Sequence, residues 1–112
     1  GCIRLLYKMK EDQIYIMNVF HSLHQEEFQS YLFPMIQGLF KMKIEEEAQE
    51  ISIKESDKEF IARFYSYCIV GLLIDWMKDD MKESPELLSD KMNEIMDGCI
   101  KRALKRFEIH QN

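Results

Sequence analysis

From Phe60 to Met77 the chain is apolar nearly all the way round a helical wheel. Arg63, Ser66 and Asp75 are the only charged or serine-type interruptions of an otherwise aromatic and aliphatic surface. A helix of this kind needs neighbours on both sides. Read over about residues 57–81 it would be ~37 Å long at 1.5 Å per residue. In a chain of 112 residues that length matches the whole domain, so the helix is expected to run through its middle.

The composition agrees with one small helical domain over residues 1–112. Hydrophobic residues make up 46% and charged residues 31%, a globular balance with room for a single core. A compact globule of this size has a radius of gyration of roughly 13 Å, and its stability depends in part on any partner it buries against. Eight methionines and seven phenylalanines against four glycines and two prolines favour an all-α fold with deformable apolar surfaces. The net charge of −5 argues against nucleic-acid binding by this chain alone, because phosphate-backbone affinity comes from lysine and arginine. Cys2, Cys68 and Cys99 are odd in number and lack metal-type spacing, which suits a reducing, cytoplasmic setting. The longest apolar run, Ile69 to Ile74, is far shorter than the ~18 residues a membrane span requires, and no membrane role is expected. Gly1-Cys-Ile-Arg4 is no signal peptide, and a glycine in place of methionine suggests a processed chain or an excised fragment.

Apolar spacing predicts about five helices. Ile3, Leu6 and Met9 fit a short helix over about residues 2–10, and Ile14, Met17 and Phe20 fit a second after Glu11-Asp12. From Phe28 a stripe through Leu32, Met35 or Ile36, Leu39 and Ile44 continues to about residue 50 and keeps phase across Pro34, which predicts a kink rather than a break. Ile51 to Glu55 reads as a connector, and Ser56-Asp-Lys-Glu59 as a capping box for the central helix. Ser84-Pro-Glu-Leu87 supplies an N-cap, a first-turn proline and an acid. Helical period then runs from Leu88 to Phe107, predicting a second domain-length helix antiparallel to the first.

The run Phe64-Tyr-Ser-Tyr-Cys-Ile-Val-Gly71, then Trp76, then Glu83-Ser-Pro-Glu-Leu87 opening a final helix, resembles the C-terminal part of TetR-type transcriptional regulators. The similarity is clearest over residues 60–100. It implies an all-α domain whose last two long helices pair with those of a second subunit as a four-helix bundle, while the preceding helices enclose an effector cavity. It also implies a DNA-binding helix-turn-helix at the N-terminus, and this chain starts after the place where that head belongs. The one decoy, Ala48 to Ile53 followed by Ser56 to Phe64, lacks the turn glycine and would offer Glu55, Asp57 and Glu59 to phosphate.

Candidate cavity residues are Phe20, Tyr31, Met35, Phe40, Phe64, Tyr67 and Cys68, with a closed volume expected beside Phe64 and Tyr67; the competing reading is ordinary core. The effector would be a small apolar or amphipathic molecule. Candidate interface residues for a homodimer are Val70, Leu73, Ile74 and Met77, with Leu88, Met92, Ile95, Met96, Cys99 and Ala103. Gly71, mid-helix at a cost of ~1 kcal/mol against alanine, fits close helix approach. Arg63 and Asp75 are weighed as ligand counter-ions against surface or interface ion pairs. His21 and His24 share a helical face, but two histidines in a polar junction are more simply solvated, so no metal is expected. No cofactor is expected, and no nucleophile, phosphate-loop or zinc-hydrolase motif points to catalysis. The alternative function is a helical dimerisation or interaction module without a small-molecule ligand.

Overall fold

A computed structural model describes residues 2–109; Gly1 and the Cys2 thiol, both considered above, lie outside what it describes. Six helices follow one another: α1 (Cys2–Glu11), α2 (Gln13–Ser22), α3 (Gln25–Glu47), α4 (Glu55–Lys78), α5 (Pro85–Met96) and α6 (Cys99–Arg106). The fold is all-α. α3 and α4 form the main helix pair, α1 lies on α5, and α6 bridges α3, α4 and α5. The subunit is a plate of 56 × 27 × 16 Å with a Cα radius of gyration of 15.7 Å. That exceeds the compact expectation because two helices of more than 20 residues cannot be folded into a shorter axis.

The buried stripe of α3, Phe28-Leu32-Ile36-Phe40-Ile44, repeats every four residues and faces the core. The helix continues through Pro34, whose ring sits on the exposed side. α4 contributes Ile61, Ala62, Ile69, Val70, Leu73, Ile74, Trp76 and Met77 to the same core. Buried Ser66 satisfies its hydroxyl by donating to the Ala62 carbonyl at 2.6 Å. By length and composition α4 would suffice to cross a membrane, yet half of its apolar window is buried within the subunit, as befits a core helix.

Two local expectations change. α4 starts at Glu55 rather than behind a Ser56 cap: the Lys54 carbonyl accepts from Asp57 N and Lys58 N at 3.1 Å each, and Lys58 bridges Glu55 and Glu45 at 3.2 Å. The predicted last helix is two helices, because Gly98 adopts φ +73° and the chain turns there while the apolar side stays in phase. The α5 start is as expected, with Ser84 Oγ accepting from Leu87 N at 3.1 Å and Pro85 in the first turn. Ser84→Ala should therefore lose about 1 kcal/mol in urea unfolding, and Ser84→Asp should retain most of it.

Candidate functional site

The outward surface of α4 follows from its helical phase. With 61, 62, 66, 69, 70, 73, 74, 76 and 77 turned inward, Phe60, Phe64, Tyr67, Cys68, Gly71 and Leu72 lie on the opposite side over three turns. Phe60 is 50%, Phe64 56% and Tyr67 64% exposed. Arg63 lies over the Phe60 ring at 5.3 Å, and Tyr67 leans on Phe33 with ring centroids 4.5 Å apart. Arg63 and Asp75 are both exposed on this face. A Cβ added at Gly71 would meet nothing within 4 Å, so no close helix approach inside the subunit explains that glycine.

The expected interface and cavity residues fall on different sides of the subunit. Val70, Leu73, Ile74, Met77, Leu88 and Met92, read as interface candidates, are buried in the subunit's own core. Ile95 is 77% exposed, and Met96, Cys99 and Ala103 are half-buried. Of the cavity candidates, Tyr31, Met35, Phe64, Tyr67 and Cys68 are exposed. Phe40 is core, stacked on Tyr65 at 5.9 Å, and half-buried Phe20 packs edge-on against Phe28 at 5.4 Å. The physical reason is that a helix apolar on every side does not announce its inner face.

A second constellation joins the first two helices to the α4–α5 turn. In the turn after α4, Asp80 and Met81 sit at φ 56° and 53°, a conformation that costs non-glycine residues on the order of 1–2 kcal/mol each. Met81 N donates to the Trp76 carbonyl at 2.8 Å, and the Met81 side chain is fully buried. The carbonyls of this strained turn accept from the first two helices: Lys10 Nζ to Met81 O at 2.7 Å and Gln13 Nε2 to Asp80 O at 3.0 Å. Trp76 Nε1 donates to Glu83 O at 2.8 Å, and Tyr7 Oη donates to Glu86 Oε1 at 2.6 Å. The turn is thereby clasped to α1 and the start of α2. Trp76 and Glu83 to Leu87 stand out in the sequence, but Tyr7, Lys10 and Gln13, which reach this turn from far earlier in the chain, carry no signal there.

The Tyr7 hydrogen bond, helped by Glu86's own backbone, holds the Glu86 carboxyl below its ordinary range and raises the Tyr7 phenol above 10.0. A carboxylate with a lowered folded pKa stabilises fully above its unfolded value of 4.5, and this contribution is lost as pH falls through the folded value. A raised phenol acts in the opposite direction, losing its contribution as pH climbs past 10.0. Urea midpoints measured from pH 3 to 6 should thus fall more steeply with acid in the wild type than in Tyr7→Phe.

A family model described as a transcriptional regulator C-terminal region, of the TetR class, matches residues 1–98. The chain belongs to the TetR family. Comparison with curated proteins and with solved structures finds no match. This TetR C-terminal domain is of a regulatory rather than an enzymatic family. Within it, the helix-turn-helix decoy resolves into the α3–α4 connector, residues 48–54, and the opening turns of α4. His21 and His24 are exposed, with the His21 ring 5.5 Å from Phe20. α6 lies beyond the matched stretch.

Proposed function

We propose that this TetR-type domain works as a homodimeric, cytoplasmic effector sensor that controls a DNA-binding head N-terminal to α1. The observation that carries the pairing is the outward apolar face of α4. Three half-exposed aromatics, with Leu72 and Gly71, form a stripe on a chain of net charge −5, a concentration of apolar surface that favours burial against a partner. The partner is a second copy, and the interface centres on Phe60, Phe64, Tyr67 and Leu72 rather than on the buried face of the same helix. Sedimentation equilibrium tests this, and a strictly monomeric chain at micromolar concentration would refute it.

Regulation works by population shift. A ligand that binds one helix arrangement better than another shifts the equilibrium by its differential affinity and by nothing else. The clasp between α1 and the α4–α5 turn offers a route, since α1 is the element nearest the expected head and rests chiefly on α5. Thermal shift against a metabolite library tests sensing: a ligand of the folded state raises the melting temperature, whereas a pure interaction module responds to none.

Gly71 separates pairing from folding. Gly71→Ala should stabilise the isolated subunit by about 0.5–1 kcal/mol, because the added methyl meets open space and alanine favours helix. It should at the same time weaken dimerisation where the partner helix approaches closely. Urea unfolding in dilute solution and sedimentation read the two effects separately.

A further inference from the structure

Between the C-terminal half of α3 and the α5–α6 junction lies a groove of about 560 Å³. α3 is packed on α4 and α6, and α5 on α1 and α6, so α3 and α5 stand apart with α6 bridging them. Core residues Ile36, Phe40 and Ile100 reach the groove from within, and Leu39, Met42 and Met96 line it further out. Its volume falls in the range of small-molecule sites, roughly 300–1,000 Å³.

The polar lining is strongly biased. Glu46, Glu47 and Asp97 face a single ammonium, Lys43, with neutral Asn93 beside them. Lys43 is already engaged with Glu47 Oε1 at 3.3 Å. Glu47 Oε2 is closed off from water and has no hydrogen-bond partner among the described residues. The rest of the Glu47 side chain keeps 27% of its surface exposed, and a groove ligand would meet the carboxylate there. Both α3 and α5 end at the groove with no basic residue in their last turns, and helix C-termini carry partial negative charge. The amide end of the shorter α6, starting after Gly98, offsets one of these two ends and leaves the carboxylates uncompensated.

We propose that the groove binds an amphipathic organic cation, its apolar body against Leu39, Phe40 and Met96 and its N–H donors on Glu47 and Asp97. The assignment rests on the effector-sensing reading above and gives it a place and a ligand class. The site is separate from the α4 pairing face, and part of it comes from α6, beyond the family-matched stretch.

Ethidium, a planar cation with two amino groups, is the probe, followed by fluorescence anisotropy with the 112-residue chain. Saturable binding is expected, with the anionic dye 8-anilinonaphthalene-1-sulfonate failing to compete. Glu47→Gln should weaken ethidium about tenfold, the scale of one charge-assisted hydrogen bond. Leu39→Trp, which fills the groove from a half-exposed position, should abolish binding at an unchanged melting temperature, and Phe64→Ser should leave binding intact. Absence of ethidium binding, equal binding of the sulfonate, or indifference to both groove substitutions would overturn the proposal. So would groove substitutions that change self-association and leave ethidium binding untouched, since the occupant would then be a second copy. A library ligand that raises the melting temperature equally in wild type and Leu39→Trp would sink the groove assignment while leaving effector sensing in place.

Discussion

The double substitution Phe60→Ser and Phe64→Ser is expected to produce a folded monomer. The two rings sit one turn apart on the outward side of α4, each about half exposed, so removing them takes little from the subunit's own core. Serine and phenylalanine have similar helix propensities, and the change in subunit stability should stay within about 1 kcal/mol. At a dimer interface the same rings would be anchors, each worth on the order of 2 kcal/mol when truncated. Losing both should weaken association by about a thousandfold even before the second subunit's copies are counted. Sedimentation equilibrium reads the loss directly, with circular dichroism reporting that the helices remain. A double variant that dimerises as tightly as wild type would remove the α4 face from the pairing.

Leu72→Ala and Leu73→Ala, adjacent in sequence, should differ by about 2 kcal/mol or more. Leu73 is 0% exposed and packs among the α3 and α4 core residues, so truncation leaves a cavity and costs about 3 kcal/mol. Leu72 is 43% exposed, and its truncation in the isolated subunit should cost less than about 1 kcal/mol. In urea, Leu73→Ala should lower the midpoint by more than 1 M, given slopes of roughly 1–3 kcal/mol per molar. Leu72→Ala should instead act on association. Equal losses for both in dilute protein would mean that α4 is buried on both sides within one subunit.

The contrast between these neighbours shows where the sequence is legible. On α3 the expected stripe holds at Phe28, Leu32, Ile36 and Ile44, which are buried, but Leu39 is exposed and Phe40 takes the core position, because adjacent apolar residues leave the sequence period ambiguous there. Ser84-Pro85 is equally readable because a cap acts on its own helix end and needs no distant partner. Gly98 is harder to read. Leu88, Met92, Ile100 and Leu104 keep a four-residue rhythm through it, and only the left-handed backbone reveals that the chain turns. The clasp of Tyr7, Lys10 and Gln13 onto the α4–α5 turn is the least legible feature, because its donors and acceptors meet only after the chain has folded.

By itself, the sequence determined an all-α domain, a central apolar helix, the start of α5 and the kinship with TetR regulators. Each rests on local propensity, on contrast along a helix or on a contiguous motif. Tertiary structure alone decided which side of α4 is core and which is surface. Periodicity reports a difference between two faces, and α4 has apolar residues on both. Packing against α3 and α6 buries Leu73 and Met77 and leaves Phe64 and Tyr67 facing outward. The same packing holds α5 away from α3 and opens the groove between them.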